Sequence, residues 1–297
     1  MNLIGDHTDY KEGFVLPVAI DLSCTRTTPS ARGRPPVGID AVVSSTIPLG
    51  AGLSSSAALE VALALALALC DAAEFELSQL ELARACQEAE QVATGVPCGI
   101  MEQLTSLAGM RNHALLIDCR SLEIQPIRLP PRLGVLILHS GMSRSLVDSA
   151  YAERRQACEA VAALLGLDSL RDATPEQVAD EPRGRHVVSE NARGLEAARA
   201  LEAGDVAALG PLLNASHESL RDDFEVSTPE LDTLVDALRH AGAVGARLTG
   251  AGFGACVVGL ADRDVADRVI ETAAGRYGAE SGHQPRAFVF RAVEGAD

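Results

Sequence analysis

The feature that most constrains this chain is a long run of alanine and leucine that directly follows a turn rich in glycine and serine. The run covers residues 57–70 and carries one charged residue, Glu60. A helix that is apolar almost all round is typical of a protein interior, and its 14 residues are too few to span a bilayer. The sequence therefore predicts a helix that is buried on most of its faces.

The composition excludes several broad classes of protein. Of the 297 residues, 47% are hydrophobic and 22% are charged, which is incompatible with a disordered or fibrous chain. The 41 acidic residues outnumber the 25 basic ones, and the resulting net charge of −16 argues against a nucleic-acid partner. Aromatic residues make up only 3%, without tryptophan, which disfavours stacking platforms for bases or sugars.

The cysteines and the N-terminus indicate the compartment. The seven cysteines are odd in number and scattered, without a C-x-x-C pair, so we expect free thiols in a reducing environment. The first residues, Met-Asn-Leu-Ile-Gly-Asp-His, show neither the basic region nor the apolar core of a signal peptide. We therefore expect a soluble, acidic, cytoplasmic protein without a membrane partner.

The pattern of the remaining chain predicts strands and helices in an irregular order. Strands are predicted at both ends of 2–20, at 41–43, 115–118 and 133–138, on both sides of a glycine turn within 245–260, and at 286–291. Helices are predicted at 77–94, 145–165, 187–203, 206–220, 230–241 and 262–275. Residues 27–38, rich in Arg, Pro, Gly and Ser, are the best candidate for a loop or a join. This irregular mixture favours an α+β fold over a doubly wound parallel sheet.

The turn ahead of the apolar run, which we call the glycine–serine loop (residues 48–56), is suited to binding phosphate. Its glycines allow a phosphate to approach the backbone, and the following helix offers unpaired N–H groups and a positive dipole end. Serine hydroxyls can cap that helix, and one of them can bind Mg²⁺. No lysine follows the glycines and a third glycine is missing, which excludes a Walker loop and a dinucleotide fingerprint. An ordinary capped helix after a tight turn would show the same pattern.

Three further segments accompany this loop. The N-terminal loop, residues 2–10, reads Asn-Leu-Ile-Gly-Asp-His-Thr-Asp-Tyr, and residues 95–103 read Gly-Val-Pro-Cys-Gly-Ile-Met-Glu-Gln. Residues 248–254 read Leu-Thr-Gly-Ala-Gly-Phe-Gly and contain the glycine turn, 250–254. In this order and wording, these segments resemble the GHMP small-molecule kinases and, within them, the galactokinases. The resemblance covers essentially the whole chain.

The resemblance implies a two-lobed α+β fold with the site in the cleft between the lobes. The N-terminal lobe, residues 1–140, would have the ribosomal-S5-domain-2-like fold and would carry the N-terminal loop, the glycine–serine loop and a catalytic acid. The C-terminal lobe, residues 141–297, would be ferredoxin-like and would carry the glycine turn. We expect a monomer or a weak dimer.

The resemblance also implies which residues hold the sugar. Asp6, His7 and Asp9 stand where the family binds the hydroxyls of galactose, and Gly99 and Tyr151 stand at two further sugar contacts. Acids and a histidine suit this task because they make directional hydrogen bonds to hydroxyls, which separate epimers well when they are buried. Taken singly, an exposed aspartate is more often only solvated.

For the nucleotide, the resemblance places the phosphates of ATP on the two loops that are rich in glycine. The residues concerned are Gly50, Ala51, Gly52, Leu53, Ser54, Ser55 and Ser56 of the glycine–serine loop, with Gly250 and Gly252 of the glycine turn. Ser56 and Glu90 would hold Mg²⁺, an ion that prefers hard oxygen ligands. A plain hairpin would also account for the glycine turn. The implied reaction is transfer of the γ-phosphoryl group of ATP to the anomeric hydroxyl, with Glu102 taking the proton.

The chain departs from the family pattern at four places. Glu102 stands where galactokinases carry aspartate, and position 6, often glutamate in the family, is aspartate here. The family places an arginine two residues ahead of Asn2, so we expect either a start upstream of Met1 or a site without this arginine. Only 27 residues, 21–47, separate the first motif from the glycine–serine loop, where galactokinases use several dozen more. A catalytically silent sugar sensor, a kinase for another sugar and a poorly folding product therefore remain open.

Overall fold

The computed structural model describes residues 1–20, 24–25, 44–47, 53–70, 77–142, 147–254 and 256–296. The strands are β1 (Phe14–Val15), β2 (Cys24–Thr25), β3 (Ser44–Ser45), β4 (His113–Asp118), β5 (Ile124–Arg128), β6 (Leu133–His139), β7 (Gly245–Thr249), β8 (Cys256–Asp262) and β9 (Arg286–Phe290). The helices are α1 (Ser55–Cys70), α2 (Gln79–Thr94), α3 (Met101–Ala108), α4 (Val147–Leu165), α5 (Pro182–Glu202), α6 (Val206–Asp222), α7 (Pro229–Ala241) and α8 (Arg263–Ser281). Two short 3-10 helices, Asp9–Lys11 and Leu170–Asp172, lie between them.

The N-terminal part packs three helices against a small antiparallel sheet. The sheet has the order β1-β4-β5, and α1, α2 and α3 pack on one another beside it. Leu82 of α2, Leu104 of α3 and Ile117 of β4 meet in the shared core. Helix α2 starts with a capping box between Ser78 and Glu81, which satisfies two backbone donors that a helix start leaves unpaired.

The C-terminal part is built on a four-stranded antiparallel sheet. Its strand order is β7-β8-β6-β9, and every residue of the central strand β6 is buried. Helices α7 and α8 pack on each other and on this sheet. Strand β6 ends just before residue 140, where the sequence predicted the lobe boundary, yet it pairs with β8 and β9 from the far end of the chain.

The N-terminal loop is supported from both parts. The first residues of the loop pair with residues 16–17 like a hairpin. Leu3 N–H donates to the carbonyl of Leu16 at 3.0 Å, and Asn2 bridges Pro17. Leu3 and Leu16 also pack in a core cluster with Leu213 of α6. A loop anchored in this way can present polar side chains at fixed positions.

The α+β class is confirmed, and the predicted helices and strands that lie in the described residues are present, except at the start of residues 2–20, where only an isolated bridge joins Asn2 to Pro17. Helix α5 begins five residues earlier than predicted, because Pro182 occupies a first-turn position that proline favours. Helix α8 continues past Gly275 and ends at Gly282, whose φ of 72° gives the usual left-handed cap. The predicted strand at 41–43 and the predicted join at 27–38 lie outside the described residues.

The long apolar helix is confirmed, and one short helix was not predicted. In α1, Ala57 and Val61 are fully buried and the other residues of 55–66 are partly buried except Ser56, which is exposed, because α1 packs mainly against α2 and α3. Helix α3 begins at Met101, within the segment 95–103, for which no helix was predicted. Eight residues of mixed polarity gave too short a pattern to show this helix.

No helix within the described ranges is long and apolar enough to cross a membrane.

Candidate active site

An open cleft of about 240 Å³ lies where the N-terminal loop, α1, α2, α3, α4 and the glycine turn meet. Its lining includes members of every predicted group: Asp6, His7, Asp9, Gly99, Tyr151, Ser54, Ser56, Glu90, Glu102 and Gly250. Leu53 instead points into the core, and Ser55 begins α1. Gly50, Ala51 and Gly52 lie outside the described residues. The cleft therefore brings together groups that are far apart in the chain.

The N-terminal loop has a backbone that few sequences can adopt. Gly5 has a φ of 102°, and a Cβ there would lie 2.6 Å from the carbonyl oxygen of Phe14. His7 has a φ of 63°, a region that costs a non-glycine residue free energy. The hydroxyl oxygen of Thr8 lies within 2.8 Å of the Gly5 carbonyl and 2.9 Å of that of Phe14. These contacts fix the turn that carries Asp6 and His7 into the cleft.

Asp6 is a buried carboxylate with two protein partners. Its Oδ1 accepts a hydrogen bond from the Asn2 amide at 3.3 Å, and its Oδ2 accepts one from the guanidinium of Arg247. Burial raises the pKa of the Asp6 carboxyl, and the charge of Arg247 opposes that rise. The ion pair is the compensation that a buried charge requires.

His7 lies among aromatic rings. Its ring centroid is 4.7 Å from that of Phe224 and 5.6 Å from that of Tyr151, and Nδ1 lies 2.9 Å from the Tyr10 hydroxyl. Burial, followed by the nearby His186, lowers the pKa of His7 to about 3, so the ring is neutral at pH 7. Within the described ranges Nε2 has no hydrogen-bond partner of normal geometry, and the backbone of Ala251 lies close to the ring.

Asp9 and Gly99 are in direct contact. A Cβ at Gly99 would lie 1.6 Å from Oδ2 of Asp9, so only glycine leaves the carboxylate where it is. Burial raises the pKa of Asp9 to about 6. The segment that carries Gly99 is held from two sides, because Gln91 donates to the Cys98 carbonyl at 2.9 Å and Arg155 donates to the Pro97 carbonyl at 2.6 Å.

Glu102 lies in the first turn of α3 and lines the same cleft as Asp9. Burial, followed by the negative charge of Asp9, raises the pKa of Glu102 to about 8. A carboxyl group whose pKa lies near neutrality can exchange a proton at physiological pH, as general acid–base chemistry requires.

Ser56 and Glu90, the predicted metal ligands, are in contact. The Ser56 hydroxyl donates to Oε1 of Glu90 at 2.6 Å, and the Gln103 amide donates to Oε2 at 2.6 Å. Gln103 also lies 3.4 Å from a carboxylate oxygen of Glu60. Burial and the charge of Glu90 raise the pKa of Glu60 to about 7.

The hydroxyl of Ser56 and the carboxylate of Glu90 fit Mg²⁺. They do not fit an ion that needs many protein ligands. The described part of the chain holds no group of three or more His, Cys, Asp and Glu side chains placed to bind a metal. Mg²⁺ is commonly held by one or two carboxylates together with phosphate oxygens and waters. A hydroxyl and a carboxylate side by side in an open cleft meet that requirement.

The glycine turn connects β7 to β8 at the edge of the cleft. Gly250 and Gly252 have φ angles of 78° and 84°, which glycine adopts without strain. Gly250 lines the cleft. Gly252 packs against the backbone instead, since a Cβ there would lie 2.4 Å from the Val226 carbonyl oxygen.

The sequence matches three family profiles. "Galactokinase galactose-binding signature" covers residues 1–26, "GHMP kinases N terminal domain" covers residues 20–110, and "GHMP kinases C terminal" covers residues 197–279. A curated galactokinase from Roseiflexus sp. (strain RS-1) is 40% identical over 353 aligned positions, which include 99% of this chain and 90% of the relative. The chain belongs to the galactokinase family of the GHMP kinases.

Solved structures agree with this membership. The crystal structure of Lactococcus lactis galactokinase complexed with galactose matches with a TM-score of 0.90 and 28% identity, over 100% of this chain and 92% of that one. L. major mevalonate kinase in complex with R-mevalonate matches with a TM-score of 0.67 and 19% identity, over 100% and 95%, which shows a common fold. The GHMP kinase fold predicted from the motifs is confirmed.

The alignment with the Roseiflexus galactokinase also bears on length. It spans 353 positions, more than the 297 residues of this chain. The relative therefore has segments that this member of the family lacks, in line with the short interval noted between the first two motifs.

Sequence reasoning missed two side chains at the cleft. Arg247 pairs with Asp6, and Gln103 binds the Glu90 carboxylate. Gln103 is the last residue of the segment 95–103, and Arg247 directly precedes the segment 248–254. An arginine within the buried strand β7 was a usable signal, because a buried charge needs a partner.

Proposed function

We propose that this chain is an ATP-dependent sugar kinase that phosphorylates the anomeric hydroxyl of galactose to give galactose 1-phosphate. The observation that carries the proposal is the single cleft in which the N-terminal loop, the carboxyl of Glu102 and the Ser56–Glu90 pair lie together. A sugar-binding loop, a base and a site for the phosphates of ATP are the parts that such a transfer needs. Membership of the galactokinase family supports the choice of sugar.

The sugar is held by groups of the N-terminal loop and its surroundings. Asp6 and Asp9 accept hydrogen bonds from hydroxyl groups, and Nε2 of the neutral His7 donates one when Nδ1 accepts the Tyr10 hydroxyl. Tyr151 lies beside His7 and lines the same side of the sugar site. Because most of these groups are buried, a sugar that leaves one of them unpaired is rejected strongly.

Glu102 accepts the proton of the attacking hydroxyl. Its raised pKa makes the carboxylate a stronger base than an ordinary glutamate. The rest of the rate enhancement comes from holding the hydroxyl in line with the γ-phosphoryl group.

Mg²⁺ would be held by Ser56 and Glu90 and would neutralise charge on the phosphates. The chain itself offers little positive charge, with a net charge of −16. The backbone N–H groups at the start of α1 and along the glycine turn supply the remaining positive field.

An ADP-release assay with a panel of sugars tests the proposal. Galactose is expected to give the highest kcat/KM, and Glu102→Gln is expected to lower kcat by about 10²- to 10⁴-fold. Binding of both galactose and ATP without turnover would indicate a silent sensor, and faster turnover of another hexose would move the assignment to that sugar.

We also propose that the protein is a cytoplasmic monomer or weak dimer. Among the described residues, five cysteines form no disulfide: Cys86, Cys98, Cys119, Cys158 and Cys256. The large exposed apolar side chains in the described ranges are scattered, at Val92, Met110 and Leu164. Light scattering coupled to gel filtration measures the oligomeric state.

A further inference from the structure

Arg247 is a fully buried arginine that lies behind the N-terminal loop. It belongs to β7, the strand that leads into the glycine turn, and no part of its side chain reaches solvent. It does not line the cleft. A buried charge of this kind is costly unless it is paired, so its partners indicate what it does.

The guanidinium of Arg247 binds the loop at two points. One terminal nitrogen donates to the carbonyl of Leu3 at 3.1 Å, and the other donates to Oδ2 of Asp6. Two residues further along β7, the Thr249 hydroxyl donates to the carbonyl of Asn2 at 2.8 Å. Strand β7 thus holds both the backbone at the start of the loop and the carboxylate that faces the sugar.

A second buried acid, Glu190 of α5, completes the charge balance. It lies 3.9 Å from Arg247, accepts the Gly5 N–H at 3.0 Å and pairs with Arg193 at 2.8 Å. Two acids and two arginines therefore alternate behind the loop. Arg193 contacts Glu190 but not Asp6, which makes it a natural comparison for Arg247.

We propose that Arg247 is a positioning residue that fixes the Asp6 carboxylate for the sugar and thereby sets the affinity for galactose. A carboxylate has about four acceptor positions, and the protein occupies one with Asn2 and one with Arg247. About two positions are left over, and Asp6 lines the cleft. Without Arg247, Asp6 is left buried with only the Asn2 amide, and it turns or takes up a proton and ceases to be an acceptor.

This inference rests on the proposed function, because it assigns a task to the same sugar site. A purely structural arginine would behave differently. Its loss would weaken galactose and ATP binding alike, and the loss of Arg193 from the same buried network would have the same effect.

The test compares Arg247→Gln and Arg247→Lys with Arg193→Gln. Galactose affinity is measured by calorimetry without nucleotide, and the KM values for galactose and ATP are measured separately. Arg247→Gln is expected to weaken galactose binding about tenfold or more while the KM for ATP stays within about twofold. Arg247→Lys, which keeps the charge, is expected to fall between Arg247→Gln and the unaltered protein. Arg193→Gln is expected to leave galactose affinity within about twofold.

Equal losses for the two substrates, or an equal loss in Arg193→Gln, would overturn the inference. If Arg247→Gln does not fold, the same change is made in an Asp6→Asn background, where no carboxylate is left unpaired. There the inference requires no further fall in kcat/KM for galactose beyond that of Asp6→Asn alone, and a further fall overturns it. If the unaltered protein binds galactose without phosphorylating it, the proposed function fails while calorimetry still decides the role of Arg247.

Discussion

At the scale of single residues, carboxyl groups in and beside the cleft hold their protons unusually well. Asp9, Glu60 and Glu102 all have raised pKa values, and burial is the main cause in each case. Ser56 and Gln103 donate to Glu90 from opposite sides. The carboxyl of Glu102 is therefore suited to exchange a proton, while both carboxylate oxygens of Glu90 accept hydrogen bonds.

The pH dependence of kcat/KM for galactose follows from these pKa values. Asp9 and Glu102 act in their ionised forms, so activity is low where they are protonated and rises as pH passes about 6 and then about 8. The measurement is kcat/KM between pH 5 and pH 9.5, which reports the groups of the free enzyme. Glu102→Gln is expected to remove the upper inflection. A profile that is already flat above pH 6 would contradict this role for Glu102.

Gly99 is predicted to be replaceable for folding but not for sugar binding. In Gly99→Ala the new methyl group displaces the Asp9 carboxylate, because it would lie 1.6 Å from Oδ2. A carboxylate moved by about 1 Å can cost about 10²-fold in activity, and we expect the KM for galactose to rise about tenfold or more with little change in melting temperature. Gly275→Ala is the matched control, since a Cβ there has no neighbour within 4 Å. An unchanged KM in Gly99→Ala would contradict the geometry.

At the scale of elements, α3 serves two halves of the site at once. Consecutive residues point in different directions, so that Glu102 lines the cleft beside Asp9 while Gln103 is fully buried and binds Glu90 of α2. Glu90 of α2 also accepts a hydrogen bond from Ser56 of α1. The short helix thus ties the position of Glu102, the proposed base, to that of Glu90, the proposed metal ligand.

Replacing Gln103 is expected to weaken the metal site selectively. Gln103→Met removes the amide that orients Glu90, and loss of such an outer hydrogen bond commonly costs about 10- to 100-fold in metal affinity. The Mg²⁺ concentration that gives half-maximal activity is expected to rise about tenfold. The Mg²⁺ concentration that supports half-maximal ADP binding, measured by calorimetry, is expected to rise by the same factor. Gln79→Met is the control, because Gln79 donates to the Leu107 carbonyl at the far end of α3. Equal behaviour of the two variants would contradict the assignment.

At the scale of the whole molecule, ion pairs join the N-terminal sheet to the segment between α4 and α5. Arg171 binds both carboxylate oxygens of Asp118, at the end of β4, and Arg120 binds Asp172 and Glu12. Hydrogen bonding by Arg171 lowers the pKa of Asp118 to about 2. These contacts connect distant parts of the chain, and one of them includes Glu12, three residues after Asp9.

The Arg171–Asp118 pair is expected to stabilise the fold in a way that depends on pH. A carboxyl group whose pKa is lowered on folding stabilises the folded state at pH values above its ordinary pKa, which is near 4. This contribution disappears as the pH falls toward 2. Asp118→Asn is expected to lower the free energy of unfolding by about 1 kcal/mol at pH 7, with a smaller difference at pH 3. Urea titrations measure this difference. Asp264→Asn, in a largely exposed pair with Arg132, is expected to change stability by less than about 0.5 kcal/mol.

The sequence predicted the contents of the cleft better than the way the cleft is held. Asp6, His7 and Asp9 could be read from a contiguous motif, and the contact between Ser56 and Glu90 followed from the family pattern. The role of Arg247 could not be predicted, because its partner Asp6 lies far away along the chain. The contact of Glu190 with the backbone of Gly5 could not be predicted for the same reason. Helix α3 was missed for a related reason, since eight residues do not establish a helical period and tertiary packing decides their structure.

The measurement that tests the central claim most directly is the position of the phosphate in the product. The protein is incubated with galactose labelled with ¹³C at C1, ATP and Mg²⁺, and the product is observed by ³¹P and ¹³C NMR. The account predicts a phosphorus–carbon coupling at C1 and no such signal with Glu102→Gln over the same time. A phosphate on any other hydroxyl group, or no phosphorylated sugar although galactose and ATP both bind, would contradict it.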